Sequence, residues 1–151
     1  HTYSSHGFNC GVALRIQQKI MREGLTKNIF EKGNLMGKKL TEAFADKHNI
    51  VGDVRGIGGF WTVEFVKDKK TKEVFDKKLD VGHKIQDVFF EKGLNVMGMQ
   101  GCVSNRSGLG DFVLLAPSFV ITEADVDEIV KRFVEGVEEY EQILKDGKHW
   151  E

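Results

Sequence analysis

Two extended runs follow one another in residues 51–66, which read Val51-Gly52-Asp53-Val54-Arg55-Gly56-Ile57-Gly58-Gly59-Phe60-Trp61-Thr62-Val63-Glu64-Phe65-Val66. Residues 51–54 predict a short strand, and residues 60–66, which are rich in β-branched and aromatic side chains, predict a longer one. The glycine-rich residues between them predict a flexible turn. Because this turn leads into a strand and not into a helix, it does not match a phosphate-binding glycine loop.

Helices are predicted on both sides of these strands. Apolar residues recur at three- and four-residue spacing through residues 12–20 and again through residues 25–44, where Gly37 is a weak point. A third helix is predicted at about residues 81–92. A capping box at Thr122 predicts the start of a fourth, strongly amphipathic helix.

Two further strands complete the pattern. Residues 94–97 predict a strand that Gly98 interrupts, and residues 112–116 predict another. The resulting order is α-α-β-β-α-β-β-α, with short links between most strands. This order predicts an α+β fold, in which a small, mostly antiparallel sheet has helices packed on one side.

Composition limits the classes of function. A chain of 151 residues with 40% hydrophobic and 30% charged residues is typical of one soluble globular domain or part of a larger protein. The net charge of -1 gives no reason to expect nucleic acid or a membrane as a partner. Cys10 and Cys102 share no metal or redox spacing, which indicates free thiols in a reducing compartment. We expect the cytoplasm or an organelle matrix.

Arg55 is the first candidate for a binding residue. Its guanidinium has a rigid fork of donors that suits a carboxylate, and the flanking glycines let a small ligand approach the backbone. On the residues alone, a structural pairing with Asp53 is the alternative. Thr2 is typical of a helix cap, and Arg106, beside a glycine-dotted loop, is typical of a solvated charge. The histidines are scattered without metal-ligand spacing, so no metal site is predicted.

Several segments together resemble the C-terminal part of the class III (ω-amino acid type) pyridoxal-phosphate aminotransferases. The family's corresponding motifs include HTYSGHP, VRGxG and LAPPLxIT followed by DE. The match covers nearly the whole chain in the same order and spacing, and motifs in register are far more specific than any one alone. The matching segments are His1-Thr2-Tyr3-Ser4-Ser5-His6, Glu23-Gly24-Leu25, Gly52-Asp53-Val54-Arg55-Gly56-Ile57-Gly58, and Leu115-Ala116-Pro117-Ser118-Phe119-Val120-Ile121-Thr122 with Asp127-Glu128.

The resemblance implies the C-terminal small domain of a fold-type I enzyme that uses pyridoxal 5'-phosphate. Residues 1–48 would be a helical segment linking to a large domain, and residues 49–151 would be the C-terminal α/β small domain. The parent enzyme would be an aminotransferase (transaminase) that moves an amino group from an ω-amino donor to a keto acid such as pyruvate. Its partners would be these small molecules and an identical subunit in a homodimer, with no nucleic acid and no membrane.

The resemblance also implies roles for particular residues. Thr2 corresponds to the threonine that donates its hydroxyl to the cofactor phosphate of the neighbouring subunit, which makes the active site a shared one. Arg55 corresponds to the arginine that binds the substrate carboxylate in several members. Arg106 lies near the position of a mobile arginine found in ω-amino acid:pyruvate members.

Some features depart from the family pattern. The lysine that holds the cofactor as a Schiff base and the aspartate that pairs with its pyridine nitrogen lie upstream of the His-Thr-Tyr segment in this family, and these residues contain neither. No catalytic residue is therefore assigned, and we expect the chain to be part of a longer protein, inactive and without cofactor on its own. Gly59 replaces a large apolar residue, which would enlarge the space beside Arg55 or loosen the strand.

Two other classes remain open at this point. The same motifs serve aminomutases, decarboxylases and epimerases of fold type I. A non-catalytic module for dimerisation or binding is the other alternative.

Overall fold

The computed structural model describes residues 4–46, 50–104 and 109–147. Its elements follow the order predicted from the sequence, and the α+β class is confirmed. The helices are α1 (Gly7–Arg22), α2 (Leu25–Phe44), α3 (Val81–Glu91) and α4 (Glu123–Lys145), and the strands are β1 (Val51–Ile57), β2 (Phe60–Phe65), β3 (Met97–Ser104) and β4 (Leu109–Leu115).

The strands form one antiparallel sheet in the order β1-β2-β4-β3. Side chains alternate between the two faces of such a sheet. The inner face carries Val63 and Phe65 of β2 and is covered by helices, whereas the other face, here called the outer face, is not covered by the described helices. The outer face carries Asp53, Arg55 and Ile57 of β1, Phe60, Thr62 and Glu64 of β2, Phe112 and Leu114 of β4, and Met97 and Met99 of β3.

The core lies between the inner face and helices α2, α3 and α4. Val63 and Phe65 are fully buried there. Phe133 of α4 stacks on Phe89 of α3 with ring centroids 4.4 Å apart, and its ring meets Phe44 of α2 edge-on at 5.8 Å. One continuous apolar core therefore joins three helices to the sheet. By contrast, no residue of α1 is buried.

The turn between β1 and β2 is shorter than the sequence predicts. β1 continues through Arg55 to Ile57, and the register pairs Ile57 with Phe60. Only Gly58 and Gly59 form the turn, and Gly58 has a left-handed φ of 55°, which glycine adopts at low cost. Arg55 therefore lies in a paired strand with a fixed side-chain direction, and the prediction of a flexible turn around it is wrong.

The third strand also lies further along the chain than predicted. The predicted strand at residues 94–97 overlaps β3 only at Met97, and Gly98 lies within β3 and does not interrupt it. The Gly98 N–H donates to Oε1 of Gln86 on α3 at 2.7 Å. A Cβ atom at Gly98 would lie 2.0 Å from the carbonyl oxygen of Gly82, so β3 can pass this close to α3 only without a side chain.

The β1–β2 hairpin is held on α2 by close packing and hydrogen bonds. The Trp61 ring lies against Gly37, where an added Cβ would be 2.1 Å from the ring. Trp61 Nε1 donates to the Gly58 carbonyl oxygen at 2.8 Å, and the Gly58 N–H donates to Oδ1 of Asn34 on α2, also at 2.8 Å. Gly37 is therefore a packing requirement and not merely a weak point of the helix.

Asp111 is the one charged side chain that is buried among the described residues. It lies on the inner face of β4, and its Oδ1 accepts a hydrogen bond from the Gly82 N–H at 2.9 Å. Gly82 belongs to the first turn of α3, whose N-cap residue Asp80 makes no side-chain capping bond. Asp111 therefore caps α3 from another element, where the helix dipole favours a carboxylate. Burial raises the pKa of Asp111, and this Gly82 hydrogen bond opposes the rise.

We expect Gly37→Ala to lower the free energy of unfolding by about 1–3 kcal/mol, the usual cost of overpacking a tight site. Gly11→Ala is the matched control, because it has the same gain in helix propensity and no atom within 4 Å of the new Cβ. Urea unfolding followed by circular dichroism measures both. Equal stability of the two variants would contradict the tight Trp61–Gly37 contact.

We also expect Asp111→Asn to change how stability depends on pH. The folded pKa of Asp111 is raised, so its favourable contribution is present in acid and declines as the pH rises from the ordinary Asp value of about 3.9. The stability difference, wild type minus Asp111→Asn, should therefore fall with rising pH.

Asp125→Asn is the control, because its stability difference from the wild type should change with pH in the opposite direction. Hydrogen bonds with Thr122 lower the pKa of Asp125, so its contribution is lost as the pH falls. Urea unfolding at a series of pH values measures both differences. A flat difference for Asp111→Asn would show that burial does not perturb this carboxyl group.

Candidate functional site

Arg55 lies on the outer face of the sheet and is flanked by two carboxylates. Its Nη1 is 2.7 Å from Oδ2 of Asp53 and 2.6 Å from Oε2 of Glu64. The antiparallel register explains this arrangement, because Asp53 precedes Arg55 by two residues on the same face and Glu64 lies directly opposite Asp53. These three residues are called the Arg55 cluster below.

Charge and exposure distinguish the members of the Arg55 cluster. One cation and two carboxylates give it a net charge of -1. The side chains of Arg55 and Asp53 are 50% and 52% exposed, whereas Glu64 is only 20% exposed. Hydrogen bonds to Asp53 and then to Glu64 raise the pKa of Arg55 above its ordinary value. The guanidinium is therefore fully charged and open to solvent on one side.

The two ion pairs leave part of the guanidinium available. Both end on Nη1, and within the described part of the chain Nη2 and Nε make no hydrogen bond. These two nitrogens form one edge of a planar group with five N–H donors. Such an edge binds a carboxylate through two parallel hydrogen bonds. The pairing with Asp53 and the capacity to bind a carboxylate are thus compatible.

The rest of the outer face is largely apolar. Thr62 lies opposite Arg55, and Leu114 of β4 lies opposite Thr62. Ile57 and Phe60, at the turn end of the hairpin, are 68% and 56% exposed. A small ligand held by Arg55 would therefore meet apolar side chains next to the Arg55 cluster.

Two of the predicted site residues cannot be placed relative to Arg55. Thr2 and Arg106 lie outside the described residues, so their roles stay predictions.

Glu64 was not singled out from the sequence, although its alternation with Val63 and Phe65 places it on the same face as Thr62. Of the two effects predicted for Gly59, an enlarged space beside Arg55 is wrong, and a looser strand stays a prediction. A Cβ there would lie 2.4 Å from Ile29 of α2, on the inner side of the hairpin.

Other kinds of site are not formed by the described residues. In residues 4–46, 50–104 and 109–147, no group of three or more His, Cys, Asp or Glu side chains is arranged to hold a metal ion. Over the same residues, no helix is both long and apolar enough to cross a membrane. The described lysines are also all at least partly exposed.

Comparison with known proteins shows the family. A model of the class-III aminotransferase family matches residues 1–137. YodT of Bacillus subtilis, described as an uncharacterized aminotransferase, is 37% identical over 145 residues, which cover 96% of this chain and 32% of YodT.

Solved structures agree with this match. A transaminase from the marine bacterium Virgibacillus has a TM-score of 0.84 at 27% identity, over 95% of this chain and 31% of that one. An aminotransferase from Vibrio fluvialis, solved in its PMP-bound form, has a TM-score of 0.73 at 32% identity, over 88% of this chain and 27% of that one.

The fold and the matches define a class of protein, since the family model is that of aminotransferases and the solved structures with this fold are named transaminases. The chain belongs to the class-III aminotransferase family and is similar to the C-terminal domain of its members. It spans about one third or less of the length of each of these relatives.

We expect Arg55→Gln to change the free energy of unfolding by less than about 1 kcal/mol, because exposed ion pairs contribute little. Arg132→Gln is the comparison. Arg132 donates to Glu128 and, through Nη1, to the carbonyl oxygens of Lys92 and Gly93 at 2.9 and 3.0 Å, so its loss should cost more. Urea unfolding of both variants is the measurement. A larger loss for Arg55→Gln would make Arg55 a structural residue.

Proposed function

We propose that this chain is the C-terminal domain of an aminotransferase that moves an amino group from an ω-amino donor to a keto acid such as pyruvate. In this proposal Arg55 binds the carboxylate of the substrate. The observation that carries it is the open Nη2 and Nε edge of Arg55 on the outer face of the sheet. Membership of the class-III aminotransferase family supplies the class of reaction.

The surroundings of Arg55 support a binding role. Its side-chain direction is set by two paired strands, and its Nη1 is held by Asp53 and Glu64. A guanidinium held at one nitrogen loses little further freedom when a ligand binds at its other edge. Asp53 and Glu64 therefore serve as positioning residues that prepare Arg55 for a carboxylate.

We propose that the described residues do not bind pyridoxal phosphate by themselves. A lysine that holds this cofactor lies in a desolvated pocket, and no described lysine is buried. We propose that Thr2 contacts the cofactor phosphate across a homodimer and that Arg106 approaches the substrate, and both proposals rest on the family resemblance. The contribution of this domain is then substrate binding, and the chain alone is inactive.

The proposal also includes the domain organisation and the location. Residues 1–48 would connect to the large domain, and the absence of buried residues in α1 supports this for the first helix. α2, however, contributes Met36, Leu40 and Phe44 to the core of the small domain. A cytoplasmic or organelle-matrix location rests on the spacing of the two cysteines in the sequence alone, and Cys10 is an exposed free thiol.

A kinetic experiment on the full-length enzyme tests the role of Arg55. We expect Arg55→Lys to raise KM for amino donors with a carboxylate by about tenfold, because a point charge does not replace a two-hydrogen-bond contact. With a simple amine that lacks a carboxylate, KM should stay unchanged.

The control variant is Arg22→Lys, which changes another exposed arginine paired with a single glutamate, Glu23. It should leave KM unchanged for both kinds of donor. Equal KM values for wild type and Arg55→Lys with carboxylate donors would refute the proposal.

A further inference from the structure

Residues 67–80, which join β2 to α3, form a loop that is tied to the rest of the domain. The Lys67 N–H donates to the Glu73 carbonyl oxygen at 2.7 Å, so the chain reverses within a few residues. Phe75 is only 6% exposed and belongs to the apolar core. Residues Lys77–Leu79 then form one turn of 3-10 helix before α3 begins. The loop therefore has a defined shape on the surface of the domain.

This loop and the start of β4 line an open cleft of about 620 Å³, here called the loop cleft. Its apolar lining comes from Phe75 and from the half-buried side chains of Val74, Leu79 and Leu109. A volume between about 300 and 1,000 Å³ with a mostly apolar lining is typical of sites for small molecules. The loop cleft shares no residue with the Arg55 cluster, so it is a second candidate binding site.

The segment around the loop cleft is basic, although the whole chain has a net charge of -1. Residues 67–78 contain six lysines and three acidic residues, which gives this segment a net charge of +3. Each of the three acidic side chains already has a partner within the loop: Asp68 accepts from the N–H groups of Lys70 and Thr71, Glu73 pairs with Lys67 at 2.6 Å, and Asp76 accepts from the Lys78 N–H at 2.9 Å. The positive charge of the segment therefore favours an anionic ligand.

Lys77 supplies a cation for the head group of such a ligand. Three of the six lysines have acceptors within the domain, namely Lys67, Lys69 and Lys72. The ammonium groups of Lys70, Lys77 and Lys78 make no hydrogen bond or ion pair to the described residues, and of these three only Lys77 lines the loop cleft. One available positive charge beside an apolar lining matches a ligand with one negative charge and an apolar body.

We propose that the loop cleft binds a free monocarboxylate with an apolar chain of medium length. Its carboxylate lies on Nζ of Lys77, and its chain lies against Val74, Leu79 and Leu109. Because the apolar side chains line a concavity, the ligand is a single molecule and not the surface of a membrane. This site is independent of the role proposed for Arg55.

Isothermal titration calorimetry of the full-length enzyme with octanoate tests the site. We expect a Kd of about 1 mM or below, since burying about five methylene groups supplies such an affinity. Shortening the chain to hexanoate and then to butanoate should raise Kd about threefold for each methylene group removed. Octylamine, which has the same chain and a positive head group, should bind at least about tenfold more weakly. A Kd that does not depend on chain length or on the head group would overturn the inference.

Paired variants locate the site. Lys77→Gln should raise Kd for octanoate about tenfold, the effect of one charged hydrogen bond. Lys70→Gln is the matched control, because it removes the same charge from the same loop but does not line the loop cleft, and it should change Kd by less than about twofold. Val74→Ser removes apolar surface from the lining and should raise Kd about threefold.

Arg55→Lys separates the loop cleft from the active site, where the proposed function places another carboxylate. Octanoate binding that survives Arg55→Lys and weakens with Lys77→Gln supports the inference. Binding that is lost with Arg55→Lys and unchanged with Lys77→Gln overturns the inference and leaves the proposed function standing. The absence of binding by the wild type, or equal losses with Lys77→Gln and Lys70→Gln, also overturns the inference.

Discussion

The contact between Trp61 and Gly37 is the constraint on which the site depends. With no side chain at Gly37, α2 approaches β2 closely enough for the indole ring to lie on the helix backbone. The ring nitrogen then binds the Gly58 carbonyl oxygen, and Asn34 binds the Gly58 N–H from the helix side. The hairpin is held at its turn and along its inner face. Because strands alternate, fixing the inner side chains of β2 also fixes the outer ones.

The packing of the hairpin on α2 also fixes the positions of the side chains on the outer face. Arg55 is paired with Thr62 across the hairpin, and Glu64 is next in line on the same face. The Arg55 cluster therefore sits at a defined place on a sheet that is held from behind by three helices. A binding arginine on a strand is positioned more precisely than one on a loop. A half-exposed side chain that is held in this way keeps a defined position, as the role proposed for Arg55 requires.

The described residues carry an exposed charged cluster and no buried lysine. The chain spans about one third or less of its relatives. Its polar groups at Arg55, Asp53 and Glu64 on the outer face have mixed charge. The buried carboxylate Asp111 lies on the inner face and ties β4 to α3. The raised pKa of Asp111 thus belongs to a contact within the fold, and the candidate binding site is identified by its exposure and geometry.

Local patterns in the sequence predicted much of this fold because they report local physics. The capping box at Thr122 and Asp125 is present with both of its hydrogen bonds, since its partners are only three residues apart. The apolar stripes of α2 and α4 predicted which faces are buried, and the two extended runs predicted the two strands β1 and β2. The structural roles of individual glycines were harder to predict from the sequence. Gly37 and Gly98 look like weak points or breaks, and their meaning depends on Trp61 and Gly82, which are distant in sequence.

The sequence by itself determined the order of the elements, the α+β class, the family resemblance and Arg55 as the candidate carboxylate ligand. These predictions depend on periodicity, on turn chemistry and on motifs, each of which involves only residues that are close together in the sequence. Only the tertiary structure decided that Arg55 lies in a strand, that Glu64 joins Asp53 beside it, and that one edge of its guanidinium makes no hydrogen bond to the described residues. The reason is physical: strand register and the seating of a hairpin on a helix are set by contacts between residues that no local pattern connects.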